Sequence, residues 1–528
     1  MDHGDTDTVK RTHYDTIIVG AGHNGLVCAN YLARSGKRVL VLEAAEQCGG
    51  LAASYEFHPG FKASVAQYAT HLPTQIVDDL RLTDHGYRSG NLDLVGLSPA
   101  EPPVRLNGAN ISGAVETDAA AFQEYHRLMD KLAQMFQPFW QKTVPPIGNN
   151  SLSEIASFAQ LGLKIRMLGK QDMQEFFRIV ALPMYDLLDE FVTSPVLKAM
   201  LSWDGLIGTK QAPRSPNNSV LQLLYRLQNR SEVCVDVASL VDALLGAARA
   251  AGVEIRTDAP VAKVEVESRD GPAGAAADLT ATGVTLESGE RIAAGQIISS
   301  ADPRSTFLNL TGAEHLDIEF TNRIDRYRDR GMVTKVHLAL SGVPDFSGLD
   351  QPDGRMVLAP DVETIEWAFD NAKYGELPQT PVMEVMVPSL HNSALAPAGQ
   401  HVLSANVMYT PFAVRGDEAS GGWSVASRAA LLESVLHVLE RYSPSIQSQL
   451  VGTQLLTPQD LERSHRVSGG HWHHGDFALD QLIMMRPTHG AAQYKTPIEG
   501  LMLCGAGTHP AGDLTGLPGF NAAREALK

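Results

Sequence analysis

The chain has 528 residues, more than one ordinary hydrophobic core accommodates, so two or more domains are expected. Its 44% hydrophobic and 20% charged content is that of a soluble globular protein. The formal net charge of −17 argues against nucleic acid as a partner and against attachment to an anionic membrane by charge alone. Local apolar or basic patches leave peripheral membrane contact open, and the composition leaves homo-oligomerisation open.

Residues 1–14 are polar and acidic with no apolar h-region, and no apolar run reaches membrane-spanning length, so neither a secretory signal nor a membrane helix is read. Residues 14–43 read as strand, glycine turn, helix and strand. A short β-branched run at 15–19 suits a strand buried on both faces. Gly20, Gly22 and Gly25 then fit G-x-G-x-x-G, in which the first glycine permits the tight turn. The second lets a pyrophosphate approach the backbone and the third lets the helix pack on the strand. A helix over 26–33 with Gly36 as C-cap leads to a second strand at 38–42. Glu43 ends that strand where a carboxylate accepts hydrogen bonds from a ribose 2′-hydroxyl and repels a 2′-phosphate, which disfavours NADP.

Gly49 and Gly50, followed by Leu51, form a second glycine-rich approach point for phosphate or flavin. Residues 78–230 change character. Helices are predicted over 118–136, 152–188, 191–208 and 219–227, punctuated by Pro145-Pro146, by Gly148-Asn149-Asn150 and by the loop 209–218. Met167, Met173, Phe176, Phe177, Met184, Tyr185, Met200 and Trp203 suit a helical core or a large apolar pocket. A helix over 233–251 precedes strands within 252–271, at 283–286 and at 291–299. Residues 297–302 regain buried-strand character, and the small-residue stretch 271–277 reads as a loop tip. Residues 311–455 alternate strand-like runs at 332–340, 382–387 and 400–408 with a helix at 424–442. They are expected to form an antiparallel sheet walling a substrate cavity. A strand at 501–504, a glycine-rich loop and a helix beginning near Phe520 complete the chain.

Cys28, Cys48, Cys234 and Cys504 form neither a CxxC pair nor a zinc pair, which points to a reducing, cytoplasmic setting and removes disulfide redox chemistry. His471-Trp472-His473-His474 lacks an Asp, His or Cys cluster at metal-ligand spacing, so no metal is read. His474, Arg486 and His509 are the candidate catalytic residues. Histidine titrates near neutrality and moves a proton alongside hydride, while arginine stabilises developing negative charge or anchors a carboxylate.

Through GAGHNGL, Glu43, CGGLA and the late GAGTHPAGD…GFNAA, the chain resembles the phytoene desaturase-like FAD oxidoreductases. The branch it is most similar to holds pyridine nucleotide-disulfide oxidoreductase domain-containing protein 2 and carotenoid-ketolase-type enzymes. The resemblance implies an α/β fold. A Rossmann-like FAD-binding domain of the glutathione-reductase/amine-oxidase type would come from residues 12–77, 231–310 and 456–528. A discontinuous α+β substrate domain would come from 78–230 and 311–455. It also implies that Gly20, Gly22, Asn24, Gly25 and Glu43 hold the ADP half of FAD. Gly49, Gly50 and Leu51 would meet the pyrophosphate and ribityl region, and Val261 the adenine. Gly507, Asp513 and Gly516 would lie at the ribityl and isoalloxazine end. Asp513 and Thr515 stand where carotenoid desaturases carry smaller or apolar residues, which argues against a long polyene.

One fingerprint and no second nicotinamide site lead to an FAD-dependent oxidoreductase. It would remove hydride from a C–H bond of a largely apolar small molecule, and oxygen or a quinone-type acceptor would reoxidise it. Two other readings remain: a flavin-dependent isomerase or ketolase, and a non-catalytic binding protein of the GDP-dissociation-inhibitor type.

Overall fold

Tyr14–Val19 (β1) is buried almost throughout because both its faces are covered, as its β-branched composition demands. The structure, a computed structural model, describes residues 13–69, 72–145, 162–216, 219–228, 233–269 and 278–528. Residues 1–12, Pro146, the Gly148-Asn149-Asn150 cluster, the start of the predicted 152–188 helix, the end of the 209–218 loop and the 271–277 tip lie outside them.

β1 pairs in parallel with Val39–Leu42 (β2) and with Arg291–Ser299, here β11. Between β1 and β2 the chain crosses over through His23–Arg34 (α1), which stops at Ser35 with Gly36 left-handed just beyond. The sheet runs β8-β2-β1-β11-β10-β9, where β8 is Glu254–Arg256, β9 is Val261–Arg269 and β10 is Asp278–Leu286. β11 serves two partners on one side. Its first residues pair antiparallel with β10, and Ile297–Ser299 pairs in parallel with Leu501–Leu503 (β17). The late strand thus enters the sheet beside the one that flanks β1.

A second, eight-stranded sheet has the order β16-β12-β15-β14-β13-β5-β6-β7. Its members are Leu94–Leu97 (β5), Val104–Asn107 (β6), Asn110–Ser112 (β7), Val333–Leu340 (β12), Arg355–Leu358 (β13), Met383–Met386 (β14), His401–Met408 (β15) and Leu450–Leu456 (β16). The expected antiparallel arrangement holds except where β5 lies parallel to β13. The segment read as mainly helical therefore also supplies three strands, each too short for its alternation to stand out in sequence. One face of this sheet is covered by Val425–Tyr442 (α6), whose Leu431, Val435, Val438 and Leu439 pack on Val336, Leu338, Val385 and Leu403. A hairpin of Tyr55–His58 (β3) and Phe61–Ala63 (β4) leans on the same sheet through Phe61 and Ala63 against Ala339 and Val402.

Helix boundaries follow their caps. Glu116–Trp140 (α2) extends the 118–136 reading at both ends. Pro195–Leu206 (α3) begins after Ser194, whose hydroxyl accepts from the Leu197 amide, and not at 191. Ser219–Leu227 (α4) stands as read. Val237–Ala250 (α5) starts late because Asp236 caps it, while Val233 and Cys234 make β-bridges to Gly90 and Ala69. Leu517–Ala526 (α7) starts three residues before Phe520, with Gly516 left-handed at its N-cap. Met184, Met200 and Trp203 are fully buried core, whereas Met167 and Phe177 are exposed, so the predicted cluster splits between interior and surface.

Candidate functional site

The first glycine turn leaves β1 at Gly20, which has φ +93 and needs glycine for that conformation. Gly22 is different. Its φ is −65, and a Cβ there would meet nothing in the protein nearer than 3.9 Å, so glycine keeps its backbone open to the space in front. Gly25 is a packing glycine, because a Cβ on it would lie 2.2 Å from the Gly20 carbonyl oxygen. Gly49 is laid against this turn, donating from its amide to the Ala21 carbonyl at 2.9 Å and forming a bridge with Gly22. Glu43 closes the far side by accepting from the Ala21 amide at 2.7 Å and the Ala45 amide at 3.0 Å.

In front of these glycines lies a cavity of about 860 Å³, in the crevice beyond the carboxyl ends of β1 and β11. Its wall includes Gly20, Gly22, His23, Asn24, Glu43, Gly49, Gly50 and Leu51 at the double glycine turn. Val261, Glu287 and Arg466 line another part, and Ser300, Asp302, His474 and Asp513 another. The same cavity is bounded by Gln67, Tyr68, Asp204, Ile207, Arg226, Asn406, Trp472 and His473. The Ala66 amide donates to the Leu51 carbonyl at 2.8 Å, so the segment after the β3–β4 hairpin carries Gln67 and Tyr68 from the glycines into this chamber.

The chamber is braced by buried charge. Arg226 donates to Asp513 through Nε at 2.7 Å and Nη2 at 3.1 Å, to the Asp204 and Ile207 carbonyls, and meets His473 Nε2 at 3.1 Å. Its bonds to Asp513 and to two carbonyls make it a keystone between α4 and the C-terminal loop. The Asp513 amide in turn donates to His473 Nδ1 at 3.2 Å. Burial pushes the His473 imidazole down to about 3, with Asp513 opposing and Arg226 reinforcing the shift. Behind Tyr68, Arg355 bonds Asp204 at 2.6 Å and Glu384 at 2.7 Å, and all three side chains are buried. Lys335 donates to Asn406 at 2.9 Å, and burial drives its ammonium well below the ordinary range. Gln67 is buried with both polar atoms of its amide unpartnered, as is the Trp472 indole N–H.

Residues 18–80 match the model of an NAD(P)-binding Rossmann-like domain, and residues 103–519 match that of the flavin-containing amine oxidoreductases. The chain belongs to the flavin-containing amine oxidoreductase family. It is 32% identical to pyridine nucleotide-disulfide oxidoreductase domain-containing protein 2 of Rattus norvegicus, over 97% of this chain and 93% of that one. It is 26% identical to a limonene dehydrogenase chain of Castellaniella defragrans, over 97% and 94% of the two sequences. Among solved structures, a putrescine oxidase variant aligns over 98% of both chains with TM-score 0.59 at 16% identity, a likeness of fold. Cyclohexylamine oxidase from Brevibacterium oxydans aligns over 97% of this chain and 98% of that one, with TM-score 0.55 at 14% identity.

As a member of this family the chain is a flavin-dependent oxidoreductase. The cavity suits a flavin dinucleotide on the structure's own terms. Gly22 and Gly50 offer bare backbone, the first turn of α1 points its free amides there, and Glu43 ends β2 beside it.

The structure brings Gly20, Gly22, Asn24, Glu43, Gly49, Gly50, Leu51, Val261, Asp513 and His474 to the cavity wall. Gly25, Gly507 and Gly516 are not on that wall, and packing accounts for each. A Cβ would lie 2.5 Å from Pro303 at Gly507 and 3.0 Å from Val27 at Gly516. Arg486 and His509 do not line the wall of the cavity. Arg486 is fully buried and donates to the carbonyls of His473, Gly475, Asp476, Gln481 and Ala506, so it braces the loop that presents His473 and His474. His509 lies against Phe139 and Trp140, with Nε2 at 3.2 Å from the Phe139 carbonyl.

Among the described residues no group of three or more His, Cys, Asp or Glu side chains is placed to hold a metal ion. Among the same residues no helix is long and apolar enough to cross a membrane. Sequence reasoning missed His23, Tyr68, Arg226, Arg355, Glu384, Asn406 and His473 as site residues. The available signal was a lone charge in an otherwise apolar strand, as with Glu384 in MEVM and Lys335 in VTKVHLAL.

Proposed function

We propose that the chain binds FAD along this cavity and removes hydride from a C–H bond of an organic molecule, with oxygen or a quinone-type compound as the final acceptor. The observation that carries the reading is continuity: one cavity joins the double glycine turn to the Gln67–Asn406 chamber. In this reading Gly20, Gly22, Asn24 and Glu43 hold the ADP half, Gly49, Gly50 and Leu51 the diphosphate and ribityl region, and Val261 the adenine. Asp513 lies at the ring end, fixed there by Arg226. Residues 12–77, 231–310 and 456–528 form the cofactor-binding part, and 78–230 with 311–455 the substrate part.

Val65, Ile207, Trp472 and Leu514 give the chamber apolar surface for the body of a substrate, and the unpartnered Gln67 amide gives it a polar anchor. A relative that carries the name of a limonene dehydrogenase supports an apolar body. When bound, the flavin supplies the hydride acceptor. The chain's own residues orient the substrate, exclude water and move the proton. His474 is placed for that last task. It lines the cavity, its Nδ1 is buried and unpartnered, and burial holds the imidazole below its ordinary value, with Asp302 opposing and Arg486 reinforcing. The neutral ring accepts a proton as the substrate is oxidised.

The test is a visible spectrum of the purified protein, repeated after anaerobic dithionite and readmission of air. Flavin bands that bleach and return quickly indicate an oxygen-reactive oxidase, and slow return indicates another acceptor. Absence of flavin after reconstitution overturns the reading. With a substrate in hand, His474→Gln is expected to slow flavin reduction by about 10²–10⁴-fold at full flavin content. An unchanged rate removes His474 from proton transfer.

A further inference from the structure

His23 is the first residue of α1 and occupies a variable position of the G-x-G-x-x-G turn. Its side chain lines the cavity, yet its Nε2 is buried and has no hydrogen-bond partner. Asp513 of the C-terminal segment lines the same cavity, so His23 stands where the first and last segments of the site come together. In the tautomer protonated on Nδ1 the bare Nε2 is an acceptor, and so is every oxygen of a diphosphate. The two meet favourably only with a proton between them.

The surroundings leave that task to His23. Among the described residues no lysine lines the cavity, and of the two arginines that do, Arg226 is engaged by Asp513 and two carbonyls and lies against His473. The second, Arg466, pairs with Glu287 at 3.0 Å. The Glu43 carboxylate, on the end of β2, already accepts from the Ala21 and Ala45 amides. His474 from the C-terminal loop and Asp302 from just beyond β11 line the same cavity as His23 and are its other titratable neighbours there. Asn24, next on α1, is buried with its Oδ1 unpartnered and contributes no charge. The bridge between Gly22 and Gly49 puts His23 directly after the point where the two glycine turns meet, which is where a diphosphate would lie.

We infer that His23 is a proton-coupled ligand of the dinucleotide's diphosphate: Nε2 takes up one proton from solvent as the diphosphate settles against it and donates the new N–H to a phosphate oxygen. No covalent bond forms or breaks and no electron moves. The inference rests on the dinucleotide reading above. In the protein as described, burial and the neighbouring His474 lower the imidazole to about 4, while the Asp513 backbone bond and carboxylate oppose them. An anion a few ångströms away raises it. The sign follows. Between about 4 and the higher pKa of the loaded imidazole, binding takes up a proton, so affinity falls by up to about tenfold per pH unit as pH rises and levels off beyond that pKa.

The experiment measures binding to flavin-stripped full-length protein from pH 5.5 to 8 with three probes: FAD, ADP-ribose (diphosphate without flavin) and riboflavin (flavin without diphosphate). Calorimetry in two buffers of different ionisation enthalpy counts the protons. FAD and ADP-ribose should show the pH slope and take up close to one proton, and riboflavin neither. In His23→Gln, which keeps an N–H donor without titrating, FAD should bind with the slope removed. FAD binding that is flat with pH in the natural chain, or an unchanged slope in His23→Gln, overturns the assignment. A slope with FAD but not with ADP-ribose moves the contact off the diphosphate and also overturns it. Failure of FAD to bind at any pH is a different result and takes down the dinucleotide reading itself.

Discussion

Replacing Arg355 with alanine is expected to destabilise the chain by about 3–5 kcal/mol, because it leaves buried carboxylates without their cation. The guanidinium meets Asp204 on α3 at 2.6 Å and Glu384 on β14 at 2.7 Å, and is itself on β13. Its carbon lies 4.4 Å from the centre of the Tyr68 ring, whose hydroxyl donates to Glu384 at 2.8 Å. All three charged side chains are at most 5% exposed, so water cannot replace the lost partner. Lysine is not a substitute, because a single ammonium cannot reproduce the two-pronged geometry. Denaturant titration is the measurement: the midpoint should fall sharply with an unchanged slope. Combining Asp204→Asn and Glu384→Gln with Arg355→Met should recover most of the loss, since the cost lies in uncompensated charge and not in shape. An alanine variant as stable as the natural chain would show that the carboxylates take up protons without penalty.

Gly25→Ala should abolish flavin retention. The new methyl group would sit 2.2 Å from the Gly20 carbonyl oxygen, 3.2 Å from Ser300 Cβ and 3.3 Å from Ile18 Cγ2. One contact is backbone of the turn itself and the others belong to β1 and the end of β11, so α1 must back away from the sheet. That movement carries His23, Asn24 and the free amides of the first turn out of the cavity wall. Overpacking of this kind costs about 1–3 kcal/mol or more. The larger loss is in binding, read as visible absorbance per mole of purified protein. Gly36→Ala is the control. It has φ +89 but nothing within 4 Å, so its penalty is confined to the left-handed backbone, about 1–2 kcal/mol, and flavin should stay bound. Equal flavin content in the Gly25 and Gly36 variants would remove close helix packing as the reason for Gly25.

The cofactor side of this molecule is local in sequence, and that is why it could be read. Gly20, Gly22, Gly25 and Glu43 act within one strand–helix–strand unit whose spacing carries the geometry. The C-terminal GAGTHPAGD segment was legible because its glycines answer to close approach. Gly505, for example, would place a Cβ 2.5 Å from the Ser300 carbonyl oxygen. The chamber was not legible in the same way. Asp204, Arg226, Arg355, Glu384 and Asn406 come from α3, α4 and three strands of another sheet, and no local period links them. The partners of Arg486 were hidden from the sequence for a related reason. A charged residue in an apolar loop suggests chemistry, but its partners are five carbonyls that the loop folds around it. Physical chemistry distinguishes a catalytic cation from a bracing one only through its neighbours, and those are a property of the fold.

The position of β17 has a consequence for how the protein is made. A ribosome delivers the glycine turn early, at about 5–20 residues per second, but β11 gains its β17 partner only when Leu501–Leu503 has emerged. The helix that packs on α1, Leu517–Ala526, comes later still. Until then the end of β11 has an unpaired edge and α1 an uncovered apolar face, the kind of surface that favours wrong pairing. Flavin uptake is expected only after Leu501–Leu503 and Leu517–Ala526 have docked.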